Sequence, residues 1–314
     1  MTTTSGDIEK LFESRGALIE KEISLLSVKI EPPELAEIVR YALSQHGKKV
    51  RASLLTIACE AVGGSVTKAL IPAVMVEMIH NTSLILDDVI DASEMRRGRK
   101  TINSRWGNDM ALLACDAMIA LAIRQAMKAD MEMSVAIIEC ASDSLLNLAE
   151  GEAMELIHKD FTTADYYRIA DNKTASLFRA SAEVGALVGG GSKKEIAALR
   201  DYGRNIGIAF QIRDDVLDFR QDGNVTGKPE LIDLKMNRPT IVLLLAQENG
   251  VAREKMLSLG REELLRELAP HLDRAEEIAR EYVETAKNCL KPLKDSRSKD
   301  MLIALADFVI ARNK

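Results

Sequence analysis

The sequence predicts an all-α fold, and three features carry that expectation. Apolar residues recur three and four apart in segment after segment, as in Leu11, Leu18, Ile19, Ile23, Leu26 and again in Leu264, Leu268, Leu272. That is the period of a helix with one buried face. Alternating Val, Ile and Thr runs closed by tight-turn dipeptides, the mark of paired strands, are absent. The breakers Glu31-Pro32-Pro33, Gly63-Gly64-Ser65, Gly189-Gly190-Gly191-Ser192 and Lys291-Pro292 fall between helical stretches. They divide the chain into roughly ten or more helices, read as one domain over residues 1–314.

Composition narrows the function classes. Hydrophobic residues make up 47% and charged residues 29%, with 18 Gly and 7 Pro, which excludes collagenous and low-complexity chains. With 42 Lys plus Arg against 48 Asp plus Glu, the net charge is -6, so a general grip on nucleic acid is not expected. Any polyanion must be held by a local basic cluster. The longest apolar stretches, such as Ala117 to Ile123, stop short of the roughly 20 residues that span a bilayer, so no transmembrane segment is expected. Met1 to Asp7 is polar, without the basic start and apolar block of a secretory signal, and a cytoplasmic protein is expected. Cys59, Cys115, Cys140 and Cys289 lie far apart within apolar helical pattern, as reduced structural thiols do. Arg220 to Pro239 departs from the helical pattern: it is polar, contains Gly223, Gly227, Pro229 and Pro239, and reads as a lid or binding loop.

Two aspartate trios stand out. Asp87-Asp88-Val89-Ile90-Asp91 ends a helical run that starts after Pro72. At 100° per residue Asp87 and Asp91 lie one turn apart on one face with Asp88 beside them. The spacing recurs in Asp214-Asp215-Val216-Leu217-Asp218, set in the apolar frame Ile206, Ile208, Phe210, Ile212, Leu217. A solvated acidic face explains one such trio; two, both flanked by apolar residues, need cations to offset their repulsion. Hard cations such as Mg²⁺ prefer oxygen ligands and take one or two carboxylates plus substrate phosphates, which implies a phosphate-bearing ligand. His80 lies about 20° from Asp87 on the helical wheel and about 10 Å along the axis, so it shares the Asp87 and Asp91 stripe.

The basic counterpart follows Gly47, which reads as a helix stop. Lys48, Lys49 and Arg51 fall in the first turn of the next helix, where cations oppose the macrodipole unless an anion is present. Arg96-Arg97 follows the first trio and precedes Gly98; adjacent arginines point in different directions and can serve two phosphate groups. Lys173-Thr174, Lys228 and Arg238, and Arg312 with Lys314 complete the basic candidates.

These residues resemble the trans-prenyltransferases, the polyprenyl or isoprenyl diphosphate synthases, over most of the chain from about Gly47 to Lys314. The specific elements are Ile79-His80-Asn81-Thr82-Ser83-Leu84 leading into Asp87-Asp88-x-x-Asp91, then Arg96-Arg97-Gly98, Phe210-Gln211-Ile212-x-Asp214-Asp215-x-x-Asp218 and Gly227-Lys228-Pro229. The resemblance implies an all-α isoprenoid synthase fold around a deep central cavity, usually in a homodimer. It implies three Mg²⁺ ions, with Mn²⁺ as a substitute, clamping the diphosphate of an allylic substrate. Carried onto this chain, Asp87, Asp88, Asp91, Asp214 and Asp215 are the implied metal ligands, with Asp218 behind them. Arg96, Lys173, Thr174, Gln211 and Lys228 are implied at the allylic diphosphate, where Arg238 stands for a second loop lysine. Lys48, Arg51, His80 and Arg97 are implied at the diphosphate of isopentenyl diphosphate.

Departures from the family pattern bear on substrate preference. His46 and Ala52 replace a glycine and a proline around the Lys48 and Arg51 pair, Leu86 stands where a histidine commonly precedes the first aspartate, Cys115 replaces a glycine, and Glu152 stands where glutamine is usual. Product length depends on the floor beneath the first trio. Ser83 lies one turn below Asp87 with Thr82 beside it and Ile79 deeper; related short-chain enzymes carry bulky aromatics at one or both of the first two places. Small residues here imply a product of geranylgeranyl length or longer, unless Met75, Met78, Ile79 or the Ala111 to Ile123 helix blocks the tunnel. Three rival functions remain: a class I terpene cyclase, a non-catalytic partner subunit, and a di-iron protein built on Glu77-x-x-His80 and Glu155-x-x-His158.

Overall fold

Helix formation follows the apolar spacing almost throughout. The computed structural model describes residues 5–24, 26, 30–44, 47–158, 160–220, 234 and 238–312. Within them run α1 (Ser5–Ser24), α2 (Pro33–Leu43), α3 (Val50–Ala61), α4 (Val66–Ile90), α5 (Ile102–Trp106), α6 (Asn108–Ala126), α7 (Met131–Ile157) and α8 (Thr163–Ile169). A π-helical segment (Ala170–Ala175) leads into α9 (Ser176–Val188) and α10 (Lys193–Arg220). The chain closes with α11 (Ile241–Glu248), α12 (Arg253–Ser258), α13 (Arg261–Cys289) and α14 (Arg297–Ala311). The Gly63-Gly64, Gly189 to Gly191 and Lys291-Pro292 breakers each separate two helices, and Pro33 opens α2 where its missing N–H costs nothing.

Three apolar clusters hold the helices together. One joins α2, α4 and α6 through Ile38, Val39, Met75, Met78, Cys115 and Met118. A second joins α1, α3, α9 and α14 through Ile8, Phe12, Leu54, Phe178 and Phe308. A third joins α10, α11 and α13 through Ile212, Val216, Leu243, Leu268 and Leu272. Each large side chain so buried contributes about 1.5–3 kcal/mol. Helix α10 feeds the second and third clusters, which fixes the second aspartate trio near its C-terminal end.

The sequence expectation needs four adjustments. First, α4 begins at Val66, and Pro72 lies inside it. In the second turn a proline removes one backbone bond, and packing of α4 against both α3 and α6 outweighs that loss. Second, α4 is long and apolar enough to cross a membrane, with a mean hydropathy of 1.5, contrary to the expectation that no stretch qualifies; 67% of that window is buried inside the protein, as in a core helix. Third, two short strands, β1 (Met95–Arg96) and β2 (Arg99–Lys100), pair antiparallel. Their turn is Arg97-Gly98 with φ of 51° and 75°, the two left-handed residues a tight hairpin requires. Fourth, α2 stops at Leu43, so Gly47 is not its terminator.

All four cysteines are free, and burial pushes the Cys115 and Cys140 thiols up to about 12. The loop Arg220 to Pro239 lies mostly outside the described residues; Arg220 ends α10, and Leu234, Arg238 and Pro239 are described. Helices α6 and α7 expose Leu112, Leu113, Met131, Val135 and Leu146, and Met127 just past α6 is exposed as well.

Candidate active site

The two aspartate trios meet. A cavity of about 420 Å³ is lined by Asp87 and Asp91 from the end of α4, Lys173 from the π segment, and Gln211, Asp214, Asp215 and Asp218 from α10. Arg96 and Arg238 complete its cationic side, and Glu155 adds a sixth carboxylate.

Within each trio the three carboxylates differ. Burial pushes the Asp87 carboxyl above its usual range; Lys173 and Arg96 oppose the shift, while Asp91 and Glu155 add to it. Asp91 caps α4 and pairs with Arg238. Asp88 is placed differently: it is 2% exposed, does not line the cavity, and accepts from Arg96 Nε at 2.8 Å. The backbone carbonyl of Asp88 accepts from Asn103 at 3.2 Å, which holds this turn of α4 against α5. Helical spacing places Asp88 beside Asp87, but its side chain falls on the buried side of that turn.

Asp215 parallels Asp88. Its Oδ1 accepts from Gln211 Nε2 at 2.8 Å and its Oδ2 from the Ile241 N–H at 3.0 Å, so it anchors the start of α11 to α10. Asp214 pairs with Arg312, and Asp218 lies at the exposed rim. Thr174 donates to Gln211 Oε1 at 2.6 Å, extending the chain of bonds Thr174, Gln211, Asp215.

Lys173 and Thr174 owe their placement to the π segment, whose wider turn is common at functional sites. Gly151 of α7 faces it so closely that a Cβ there would stand 2.8 Å from the Lys173 backbone nitrogen. Lys173 Nζ is held by Glu152 at 2.6 Å and Glu155 at 2.9 Å. Burial works against its charge, but Glu155, Asp87 and Glu152 raise its pKa above the usual value and keep it protonated.

A second cavity of about 340 Å³ gathers the other basic set: Lys48, Arg51, His80, Arg97 and Arg312, with Glu77, Asn81, Phe210 and Phe308. Arg51 Nη1 stands 3.4 Å from His80 Nε2, and its guanidinium lies 4.5 Å from the Phe178 ring centre. Burial, reinforced by Arg51 and Arg97, holds the His80 pKa well below its ordinary value, so the ring is neutral. Arg51 is lowered by burial to about 10 and keeps its charge at neutral pH. Lys49 also lines this cavity, but in a different setting from Lys48. It sits in the left-handed region (φ 49°) at the N-cap of α3 and forms a buried ion pair with Glu77 at 3.4 Å. Gly47 leaves room for Arg97: a Cβ would lie 2.6 Å from Arg97 Nη1.

The floor residues sit deeper on α4. Ile79 and Thr82 are buried, Thr82 Oγ1 donates to the Met78 carbonyl at 2.9 Å, and Ser83, half-buried, donates to the His80 carbonyl at 2.8 Å. Lys228, with Gly227, Pro229, His46 and Lys314, lies outside the described residues. The two Glu-x-x-His pairs do not share a site: Glu77 and His80 line the second cavity, Glu155 lines the first, and His158 stacks on Phe161 at 6.0 Å. The sequence names Glu155, Glu77 and Lys49 but does not show that Glu155 lines the acidic cavity or that Lys49 and Glu77 pair. The clue to Glu155 is its position four residues after Gly151 on α7, on the side facing the π segment.

Oxygen donors of this kind suit a hard divalent cation. Among the described residues no three of them already form an ion cage; Asp88, Asp91 and Asp214 are paired with arginines, and Asp215 accepts from an amide and a backbone N–H.

A helical scaffold that opposes two acidic helix segments across one cavity, with a cationic cavity alongside, defines a diphosphate-handling protein. The family model for polyprenyl synthetase matches residues 32–268. The short chain isoprenyl diphosphate synthase of Methanothermobacter thermautotrophicus is 36% identical over 298 residues, 90% of this chain and 92% of its own. The octaprenyl diphosphate synthase of Haemophilus influenzae is 33% identical over 322 residues, 98% of this chain and 97% of its own. The crystal structure of geranylgeranyl pyrophosphate synthetase from Pyrococcus horikoshii matches with a TM-score of 0.89 at 34% identity, over 97% of this chain and 99% of that one. The chain belongs to the polyprenyl synthetase family. The relatives are prenyl diphosphate synthases, as the repeat of aspartates in place of a mixed second motif leads one to expect.

Proposed function

We propose that this chain, as one domain, condenses isopentenyl diphosphate with an allylic prenyl diphosphate and makes a product of geranylgeranyl length or longer. One observation carries it: both aspartate motifs converge on the first cavity, and the second, cationic cavity adjoins it through Arg312, which lines the second and pairs with Asp214 of the first.

The allylic diphosphate lies in the first cavity against Arg96, Lys173 and Arg238; the family resemblance adds Lys228, which is outside the described residues. Asp87, Asp91, Asp214 and Asp218 would hold magnesium, or manganese in its place, which would supply positive charge where the leaving diphosphate becomes more negative. Asp88 and Asp215 act one step back: Asp88 aims Arg96, and Asp215 fixes Gln211 and the start of α11. Lys173, kept protonated by Glu155 and Glu152, and Arg96 stabilise charge on the departing oxygen, so the allylic C–O bond ionises. Lys48, Arg51 and Arg97 hold the diphosphate of isopentenyl diphosphate, so that its double bond attacks the carbocation in a water-poor space. The released pyrophosphate accepts the proton lost from the adduct, and no side-chain base is required.

Product length rests on the small side chains Thr82 and Ser83, since the relatives range from short chain to octaprenyl. The exposed apolar residues of α6 and α7 support a homodimer across that face. The purified chain, given magnesium, isopentenyl diphosphate and in turn dimethylallyl, geranyl and farnesyl primers, tests all of this by chromatographic sizing. Elongated products support the proposal. Hydrocarbon from a primer alone establishes a cyclase, and no turnover in any mixture establishes a non-catalytic partner subunit.

A further inference from the structure

Arg312, at the C-terminal end of α14, lines the second cavity and reaches a carboxylate of the first. Its guanidinium pairs with Asp214 of the first cavity while lining the second. It lies 3.7 Å from the centre of the Phe210 ring, which Arg51 approaches at 5.7 Å. Its backbone is fixed: the Arg312 carbonyl accepts from Arg213 at 3.2 and 3.0 Å, and Arg213 is held by Glu276 at 2.9 Å. Its side chain is not fixed in the same way. Apart from Asp214, the guanidinium bonds the Phe210 carbonyl at 3.0 Å, and its buried Nε has no hydrogen-bond partner among the described residues.

We infer that Arg312 is a positioning residue that exchanges partners, from the Asp214 carboxylate to the diphosphate in the second cavity, and thereby couples cation binding in one cavity to substrate binding in the other. This rests on the two-cavity assignment above. The physical basis is competition for one carboxylate. A divalent cation at Asp214 and a guanidinium at the same oxygen repel each other, so either occupant weakens the other. Arg312 displaced from Asp214 needs only to turn across the Phe210 face to reach an anion in the second cavity. Conversely, a diphosphate bound there draws Arg312 off Asp214 and removes that competitor from the carboxylate. Linkage requires the two effects to be equal in free energy.

The test is Mn²⁺ binding to the full chain, followed by electron paramagnetic resonance of the free ion, with and without isopentenyl diphosphate and with no primer, corrected for chelation measured without protein. In the wild type, isopentenyl diphosphate should tighten Mn²⁺ binding about five- to tenfold. In Arg312→Gln, Mn²⁺ should bind more tightly than to the wild type when isopentenyl diphosphate is absent, because the competitor is gone, and the gain on adding it should fall below about twofold. A residue that merely supports the fold would instead weaken Mn²⁺ binding when replaced. Arg312→Lys, with a charge but no fork, should keep part of the coupling and guards against misfolding of the glutamine variant. Undiminished coupling in Arg312→Gln overturns the inference, as does its absence in a wild type that binds both ligands. Failure of isopentenyl diphosphate to bind the wild type at all overturns the two-cavity assignment itself.

Discussion

Arg96 and Arg97 are neighbours in the chain and serve different cavities. Arg96 Nε donates to Asp88 at 2.8 Å and lines the acidic cavity, whereas Arg97, left-handed at φ 51°, lies over Gly47 in the cationic one. The hairpin turn makes this separation. Replacing Arg97 by Ala should raise KM for isopentenyl diphosphate roughly 10- to 100-fold, the worth of one charge-assisted contact, and leave KM for the allylic primer nearly unchanged. Arg96→Ala should do the reverse and also lower kcat. Steady-state kinetics with each substrate varied in turn decide the matter; equal effects on both substrates would contradict the separation.

Asp87 and Asp88 should part in stability as well as in activity. Burial raises the folded-state pKa of Asp87 above its ordinary value of 3.8. A carboxyl raised in this way stabilises the fold only while protonated, and that contribution is lost as pH rises through the folded value. At pH 7.5 the ionised Asp87 is therefore a net cost. Without metal, Asp87→Asn should raise Tm by about 1–3 °C while turnover falls by roughly 10²- to 10³-fold or more. Asp88→Asn should lower Tm, since it breaks the buried contact with Arg96 at a cost of about 1–3 kcal/mol. Calorimetry of both variants at pH 7.5 reads the two signs, and a fall in Tm for Asp87→Asn would refute the assignment.

His80 carries a second pH signal of the opposite kind. Its folded pKa is depressed by burial and by Arg51, so the folded protein binds less proton there than the unfolded chain does. Stability from this site is present above the unfolded value of 6.5 and is lost as pH falls below it. His80→Gln keeps a polar side chain without titrating. It should flatten the decline in Tm between pH 6.5 and the acid limb, measured by thermal melts across that range; an unchanged slope would show that His80 does not stay neutral.

Much of this site is legible in the sequence because its parts are contiguous. Asp87 to Asp91, Arg96-Arg97 and Asp214 to Asp218 each announce themselves in a few residues, and helical spacing orders their faces. The angle around a helix does not say which neighbour covers it, and so Asp88 and Asp215 look the same as Asp87 and Asp214 until Arg96 and the start of α11 are placed. Pro72 marks a boundary by local rule, yet tertiary packing carries α4 through it. The π segment has no sequence signature, and with it the pairing of Lys173 to Glu152 and Glu155 stays hidden.

The close fit of α7 to the π segment makes Gly151 a positioning residue for Lys173. An added Cβ would meet the Lys173 backbone nitrogen at 2.8 Å and the Asn172 Cβ at 3.1 Å. Backbone cannot swing aside as the end of a side chain can, so Gly151→Ala should displace Lys173 and lower kcat/KM by about 10²-fold, the usual cost of misplacing a group by about 1 Å. Circular dichroism should show the helical content retained. Full activity in a folded Gly151→Ala would mean that the π segment yields without consequence.

Thr82 offers the most direct control of product length. It is buried on the face of α4 that packs against α6, with Cys115 Sγ 3.8 Å from its carbonyl oxygen and the buried Ala111 and Met118 in the same cluster. Ala111, Ala114 and Cys115 keep the α6 side of this seam small, so a ring placed on either wall fills whatever space an elongating chain uses. Thr82→Phe should therefore shift products toward fewer isoprene units, at a packing cost of about 1–3 kcal/mol that a lowered Tm would register. Cys115→Phe, from the opposite wall, should shorten them as well. The two variants together separate a floor effect from general damage: damage lowers turnover at constant product length, whereas a raised floor changes the length distribution in both. If chromatography finds the wild-type distribution in each, the growing chain does not pass between α4 and α6.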